Sequence, residues 1–312
     1  MARYLVTGGG GFIGSHLVDA LLQAGHDVRV LDNFATGRRQ NLAHVSNQIE
    51  LIEADLRDAD AVNRAVAGCD VILHQAAIPS VPRSINDPVT NTAANVMGTV
   101  HVLDAARQHD VQRVVVASSS SLYGNSPTLP KVETMPTDPR SPYAISKLAA
   151  EWYTRNFAAL YGLETVALRY FNVFGPRQDP TSHYAGVIAK FAVCALRGEP
   201  YPMNGDGTFS RDFTYIANVV QANLKAATAP NVAGEFFNIA YGQRITLNDL
   251  TRTLNHLVGR EIPTDFRPER AGDVAHSLAD IRKARTLLGY EPTVDFATGL
   301  AHTLDWYREF EA

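Results

Sequence analysis

Short apolar runs alternate with amphipathic segments through the first half of this 312-residue chain. The apolar runs predict strands at 2–7, 28–31, 50–54, 71–74, 113–117 and 165–170. Apolar positions with a helical period predict helices between them, among them 15–24 and 141–162. Strands that alternate with helices imply right-handed parallel crossovers. The predicted fold class is α/β, a Rossmann-type doubly wound parallel sheet with a smaller C-terminal α/β lobe.

A glycine-rich loop follows the first predicted strand and precedes the first predicted helix. Its glycines recur at every third position: Gly8, Gly11 and Gly14. They allow a tight turn, close approach of the backbone to a pyrophosphate, and packing of the helix on the strand. Asp32 ends the second strand, where a carboxylate can accept both ribose hydroxyls and repel a 2′-phosphate. The pattern predicts NAD rather than NADP, with the basic pair Arg38 and Arg39 as the feature that could instead favour a phosphate.

Acid/base chemistry is predicted on the helix 141–162, for which Ser141 is a suitable N-cap and Gly162 a suitable stop. Tyr143 and Lys147 are four residues apart, so both side chains project from one helix face. A cation there is expected to lower the tyrosine pKa, which is ordinarily ~10. The same spacing occurs on many ordinary exposed helices, but here a nucleotide loop precedes it. We therefore predict Ser119, Tyr143 and Lys147 as catalytic residues.

Composition narrows the class of protein further. The net charge is −4, and no basic run is present, which argues against nucleic acid as a partner. No segment reaches the ~18 apolar residues that a membrane span needs, and the first strand leaves no room for a signal peptide, so a cytoplasmic enzyme is expected. Cys69 and Cys194 lie far apart without metal-ligand spacing, so we expect reduced thiols and no metal.

The pattern loosens after about residue 175, where Pro and Gly become frequent at 198–207 and 263–272. We predict a nucleotide-binding domain at 1–174, with contributions from about 214–242, and a mainly substrate-binding, discontinuous lobe at 175–312.

Five motifs together carry a family resemblance: TGGGGFIG, HQAA, ASSSSLYG, PYAISK and RYFNVFGPRQ. They resemble the extended short-chain dehydrogenase/reductase family, and more closely its nucleotide-sugar 4-epimerases, with matching runs from residue 4 to about residue 290. SVPRSINDP, GDGTFSRDFTYI and RAGDVAHSLADI resemble the bacterial UDP-N-acetylglucosamine 4-epimerases that also handle UDP-glucose. Pro79 departs from the resemblance, since relatives carry glycine or lysine there.

The resemblance implies roles for individual residues. NAD contacts are expected from Gly8, Gly11, Phe12, Ile13, Gly14, Asp32, Asn33, Asp55, Leu56, Gln75, Ala76, Ala77, Asn95, Tyr143, Lys147 and Tyr170. UDP-sugar contacts are expected from Ser80, Ser84, Ser119, Ser120, Ser121, Tyr143, Asn172, Val187, Asn204, Arg211, Arg270, Asp273 and Ser277. In this reading the two arginines hold the diphosphate, Asp273 reaches the uridine ribose, and the small Ser277 leaves room for a 2-N-acetyl group. The resemblance also implies a homodimer through helices near 96–108 and 141–159.

The expected activity is NAD-dependent 4-epimerisation of a UDP-hexose through a transient 4-keto intermediate. A 4,6-dehydratase of the same family would carry an Asp-Glu pair where this chain has Ser120 and Ser121. A UDP-glucuronate epimerase or decarboxylase would share the fold and need a pocket for a carboxylate. A non-catalytic NAD-binding protein could dispense with Tyr143 and Lys147.

Overall fold

The structure is a computed structural model, and it describes residues 1–180, 186–269 and 274–311. Its strands are β1 (Arg3–Thr7), β2 (Asp27–Asp32), β3 (Ile49–Glu53), β4 (Val71–His74), β5 (Arg113–Ser119), β6 (Thr165–Tyr170), β7 (Val173–Phe174), β8 (Tyr201–Asn204), β9 (Ser210–Arg211), β10 (Thr214–Tyr215), β11 (Glu235–Ile239), β12 (Ile245–Thr246) and β13 (Thr264–Arg267). Its α-helices are α1 (Phe12–Gln23), α2 (Ala59–Val66), α3 (Val81–Asn86), α4 (Pro88–Thr92), α5 (Gly98–Gln108), α6 (Pro142–Tyr161), α7 (Val187–Arg197), α8 (Ile216–Thr228), α9 (Leu247–Val258), α10 (Arg282–Leu288) and α11 (Phe296–Glu311). Tighter turns occur at Arg39–Val45 and Ser120–Tyr123, and a π-helical turn at Ala93–Met97 joins α4 to α5.

Seven parallel strands form the central sheet in the order β11-β6-β5-β4-β1-β2-β3. The first six residues of β5 are all buried, as expected of a parallel strand covered by helices on both faces. The six predicted strands and the doubly wound fold class are confirmed. From β1 the chain adds strands first on one side of the sheet, β2 and β3, and then on the other, β4 to β6. Ligands of such sheets bind at the carboxyl ends of the strands beside this switch point, between β1 and β4.

The first helix begins three residues earlier than the apolar period suggested, at Phe12. Gly14 lies so close to the preceding turn that a Cβ there would be 2.1 Å from the carbonyl oxygen of Gly8. The glycine loop and the helix therefore overlap, which the apolar period cannot reveal. Helix α6 begins as expected, because the Ser141 hydroxyl accepts a hydrogen bond from the Ala144 N–H at 3.1 Å. It ends at Gly162, whose φ of 69° is left-handed.

Residues beyond the sheet form a second apolar core around α7, α9 and α11, which includes Phe191, Tyr201, Leu250, Leu254, Leu300 and Leu304. Its strands are short and pair two by two: β10 with β7, β12 with β9, and β13 with β8. The chain also returns to the large sheet, since β11 pairs with β6. Among the described residues, no helix combines the length and the apolar character needed to cross a bilayer.

Candidate active site

The glycine loop lies tightly against the sheet at the carboxyl end of β1. Gly8 has a φ of 71°, and a Cβ there would lie 2.8 Å from the backbone of Ala76. The Asp32 carboxylate is almost fully buried and accepts hydrogen bonds from the N–H groups of Gly10, at 2.8 Å, and Phe34, at 2.7 Å. Burial raises the pKa of Asp32, and the two N–H donors oppose that rise. Two bonds leave lone pairs for a ribose diol, so loop and carboxylate fit a dinucleotide.

Residues next to this loop follow the same edge. Phe12 and Ile13 form the first turn of α1 and pack on the core of the sheet. Asn33 donates to the Asp55 carboxylate at 2.8 Å, and Leu56 is buried behind it. Hydrogen bonds from Arg57 lower the pKa of Asp55.

The basic pair beside the loop is engaged elsewhere. Arg38 forms an ion pair with Asp179 at 2.7 Å. Arg39 pairs with Glu53 at 2.5 Å and stacks on the ring of Phe34. Both guanidinium groups thus have carboxylate partners, which agrees with the preference for NAD.

The segment after β4 is fixed by polar contacts that cross the sheet. Gln75 donates to Asn223 of α8 at 3.0 Å, and the Tyr170 hydroxyl bonds both side chains at 3.1 Å. Asn95 accepts from the Ile78 N–H at 2.8 Å. These contacts hold residues 75–78, including Ala76 and Ala77, against the carboxyl end of β1. Asn223 was not predicted as a site residue, because nothing nearby in the sequence marks it as part of this site.

His74, at the end of β4, bonds Thr7 of β1 through Nδ1 at 2.7 Å and Thr99 of α5 through Nε2 at 3.0 Å. Burial lowers its pKa to about 3, so the ring is neutral and serves to hold these elements together.

The three predicted catalytic residues come together at the carboxyl end of β5. The Ser119 side chain lies near enough to Tyr143 to affect its pKa, and the Lys147 ammonium donates to the Ala117 carbonyl at 2.8 Å. Burial lowers the pKa of Lys147 to about 8. Burial raises the pKa of Tyr143, and the nearby Ser119 side chain opposes this rise. The expected lowering by Lys147 is therefore not the dominant effect in this structure, because both side chains are removed from water.

Ser119 is followed by a 3₁₀ turn, Ser120–Tyr123, that carries the other two predicted serines. The Ser121 N–H and hydroxyl both donate to the Ser119 oxygen, at 3.2 and 2.9 Å. Ser119 then keeps its own hydroxyl hydrogen for Tyr143. Ser120 lies half-buried at the start of the turn.

Ser80 immediately precedes α3 and Ser84 lies on it, and this helix packs against α6. The Ser80 hydroxyl caps α3 by accepting from the Arg83 N–H at 3.1 Å. The fully buried Ser84 hydroxyl accepts from the Tyr143 N–H at 3.0 Å and donates to the Val81 carbonyl at 2.7 Å. Both serines contact backbone here, so they shape the wall behind Tyr143. Pro79 lies exposed just before them.

The predicted UDP-sugar residues of the second lobe lie on several separate segments. Asn172, in a left-handed conformation with φ 35°, donates to the Asp212 carbonyl at 3.3 Å. Arg211 follows on β9 and donates to the Ala275 carbonyl at 3.2 Å. The Ser277 N–H bonds the Ser210 carbonyl at 3.0 Å, which places Ser277 beside Arg211. Val187 begins α7 and Asn204 ends β8. Arg270 and Asp273 lie outside the described residues.

Asp212 is a further site residue that the sequence argument missed. Its fully buried carboxylate accepts from the N–H groups of Tyr241, Gly242, Gln243 and Ala279, with distances of 3.0–3.2 Å for those from 241, 242 and 279. Burial raises its pKa to about 7, and these N–H donors act against that rise. Asp212 therefore ties the 241–243 turn to the segment that carries Ser277.

Comparisons with known proteins agree with this geometry. The model of the NAD dependent epimerase/dehydratase family matches residues 4–240. A UDP-glucose 4-epimerase of Mycolicibacterium smegmatis is 41% identical over 310 residues, which cover 98% of each chain.

Two solved structures are similar over the whole chain. The UDP-glucose 4-epimerase of Thermotoga maritima, solved with UDP-glucose, superposes with a TM-score of 0.94 at 36% identity, covering 99% of this chain and 100% of that one. The UDP-N-acetylglucosamine 4-epimerase of Methanobrevibacter ruminantium, solved with UDP-N-acetylmuramic acid, has a TM-score of 0.95 at 37% identity and covers 99% of both chains. With its glycine loop and its Ser-Tyr-Lys cluster at one edge of a doubly wound sheet, this chain belongs to the NAD dependent epimerase/dehydratase family.

Proposed function

We propose that this protein interconverts UDP-hexoses that differ in configuration at C4, and that it accepts both UDP-glucose/UDP-galactose and their 2-N-acetylated counterparts. The observation that carries the proposal is the clustering of Ser119, Tyr143 and Lys147 at the sheet edge that also holds the glycine loop. UDP-glucose 4-epimerases that match this chain over nearly its whole length support the proposal.

The chain's own groups supply the proton chemistry. Tyr143 as tyrosinate takes the proton of the sugar 4-hydroxyl, and Ser119 stabilises the phenolate by donating to it. Bound NAD supplies the acceptor and donor of the C4 hydride. Tyr143 returns the proton after the 4-keto sugar has turned over, so the cycle is redox-neutral and the cofactor can stay bound. Retaining the ketone until it is reduced is then the main task of the protein.

Substrate contacts are proposed on the second lobe. Arg211 is proposed to pair with the diphosphate, and a guanidinium group suits this because it can donate two parallel hydrogen bonds. Asn172, Asn204 and Ser277, which lie on separate segments, are proposed as further contacts of the UDP-sugar. Arg270 and Asp273 complete the proposed set by their place in the motif. Residues 1–174 with the 214–242 return are proposed as the NAD-binding domain, and the remainder as the substrate lobe.

The proposed partner besides the substrate is a second copy of this chain. Helix α6 exposes Ile145, Trp152, Tyr153 and Leu160, and Met97 is exposed just before α5. On α6, Ile145 and Trp152 are seven residues apart, and so are Tyr153 and Leu160. These side chains therefore form one stripe, which could pair with its copy in a four-helix interface. Light scattering at micromolar concentration tests this. A dimer that Trp152→Glu converts to a monomer is expected, and a wild-type monomer would contradict the proposal.

The decisive experiment for the activity is conversion of UDP-glucose, UDP-N-acetylglucosamine and UDP-glucuronic acid, assayed in parallel with one preparation. We expect C4 epimers of the first two and no product from the third. Product from UDP-glucuronic acid alone would support the alternative family activity. No product from any of them, in a folded protein that carries NAD, would support a non-catalytic NAD-binding protein.

A further inference from the structure

The catalytic face of α6 extends one turn beyond Lys147, to a residue that the proposed reaction does not use. Glu151 lies four residues after Lys147, and its carboxylate accepts a hydrogen bond from the Ser118 hydroxyl at 2.7 Å. Ser118 lies between Ala117, which accepts from Lys147, and Ser119, which lies near Tyr143. Two successive residues of β5, Ala117 and Ser118, thus bond successive turns of α6, and Ser119 follows them beside Tyr143.

Glu151 is itself held in one position by Arg169. The arginine lies on β6, directly beside Ser118 in the strand register. Its Nε and Nη2 atoms donate to the two oxygens of Glu151, at 2.9 and 2.6 Å. Both side chains are almost fully buried, at 1% and 2% exposure, so the pair is shielded from water.

The same arginine reaches the far end of the serine turn. Its Nη1 atom donates to the Tyr123 hydroxyl at 2.8 Å, and Tyr123 in turn donates to Asn238 at 2.7 Å. Tyr123 is the last residue of the 3₁₀ turn that starts at Ser120, immediately after Ser119. The guanidinium group of Arg169 therefore joins helix α6 to the last residue of this turn.

We propose that Glu151, oriented by Arg169, is a positioning residue: through Ser118 it fixes the Ser119 hydroxyl against Tyr143. The proposal rests on the proposed function, since it assigns Glu151 a part in that reaction. The physical reason is geometric. A catalytic donor must be held within a fraction of an ångström of its partner. A strand end that bonds a buried, bidentate ion pair is held more firmly than one that ends in a serine without such a bond.

A merely structural role for the ion pair is the competing explanation. Breaking a buried pair by removing one partner leaves an uncompensated charge, so Glu151→Gln can lower activity by destabilising the whole fold. Ser118→Ala separates the two explanations, because it leaves the ion pair intact and removes only the bond that leads to Ser119.

The first test compares Ser118→Ala with Thr154→Val. Thr154 is a buried hydroxyl on the same helix, bonded to the Ala150 carbonyl at 2.7 Å and remote from the catalytic cluster. We expect Ser118→Ala to lower kcat about tenfold, with KM and bound NAD within about twofold, because a displaced catalytic group loses rate rather than affinity. The acid limb of its kcat profile should move to higher pH, since a weaker bond from Ser119 favours the phenolate less. Thr154→Val should lose comparable thermal stability with kcat and pH profile unchanged.

The second test is a double-mutant cycle on kcat. If Glu151 acts through Ser118, Ser118→Ala adds almost nothing to Glu151→Gln, whereas independent roles would multiply. Multiplying effects would overturn the proposal, and so would a Ser118→Ala variant with wild-type kcat and pH profile; if Glu151→Gln does not fold, the Ser118→Ala result alone decides. A wild-type protein that epimerises no UDP-hexose would overturn the proposed function first. The two failures are therefore distinguishable.

Discussion

Strand β5 with helix α6 and the segments that carry the proposed UDP-sugar contacts are held by different kinds of interaction. In the former, side chains bond side chains: Ser118 to Glu151, Glu151 to Arg169, and Arg169 to Tyr123, all buried. In the latter, strands of two to four residues pair in isolation. The Asp212 carboxylate connects two of the neighbouring segments, because it accepts hydrogen bonds from the N–H groups of Tyr241 and Ala279.

Such a division would let one family keep its chemistry while its substrate changes. Side chains that bond one another within a parallel sheet cannot shift one at a time, so the position of the reacting hydroxyls is fixed. Segments held by backbone bonds can exchange side chains freely, because a backbone N–H donates in the same way whichever residue carries it. The proposed specificity residues Arg211 and Ser277 lie on such segments.

The largest expected effect is on the chemical step. Tyr143→Phe should lower kcat at least ~100-fold, the usual scale for removing a positioned acid/base, with fold and NAD content intact. Tyr161→Phe is the matched control, since Tyr161 is exposed at the end of the same helix. Turnover near the wild-type rate in Tyr143→Phe would refute the assigned mechanism.

The next effect concerns which sugar is accepted, and it tests whether the second lobe sets specificity. Ser277→Tyr should lower kcat/KM on UDP-N-acetylglucosamine by roughly 30-fold or more and on UDP-glucose by less than about threefold. An added ring penalises only the ligand that occupied its space.

Ser277→Ala, which stays small, should keep both reactions. Equal losses on both sugars in Ser277→Tyr would mean that another residue limits the space for the 2-N-acetyl group, with Pro79 as the next candidate.

A smaller effect is expected where the second lobe is joined by Asp212. Asp212→Asn puts an NH₂ group where a carboxylate oxygen accepted backbone N–H groups, so the 241–243 turn and the Ser277 segment should separate. We expect KM to rise about tenfold and kcat to change less than about threefold, measured by steady-state kinetics on UDP-glucose.

Asp295→Asn is the control, because Asp295 also accepts a backbone bond, from the Thr298 N–H at 2.8 Å, but lies exposed at the start of α11. A fall in kcat with unchanged KM in Asp212→Asn would mean that the two regions are not separable in this way.

The smallest effect is expected at the surface of the nucleotide-binding half. Arg39→Ala removes an exposed ion pair with Glu53, and such pairs contribute about 0–1 kcal/mol. Melting temperature should change by a few degrees at most, and nucleotide extracted from the protein should remain NAD. If the wild-type protein instead yielded NADP and the Arg39→Ala variant yielded NAD, Arg39 rather than Asp32 would govern cofactor choice.

Local features of the sequence determined much of the protein. Apolar runs located β1, β2, β4, β5 and β6, because strands buried on both faces of a parallel sheet demand continuous apolar residues. β3, at the edge of the sheet, is partly exposed, and the helical period of apolar residues located α6. The glycine spacing and the four-residue interval between Tyr143 and Lys147 are also local, so their geometry follows from one turn or one helix. The elements beyond residue 175 could not be predicted in the same detail, since the strands there are too short to show a period.

Contacts between distant residues were decided only by the tertiary structure. Asp212 reaches Ala279 across 67 positions, Asn223 reaches Tyr170 across 53, and Glu151 reaches Arg169 on a neighbouring strand. Taken singly, each residue type is compatible with an ordinary surface position, so no spacing rule marks it. The pKa of Tyr143 shows the same limit. Helical spacing predicted that Lys147 would lower it, but burial dominates, and burial is a property of everything packed around the residue rather than of the helix that carries it.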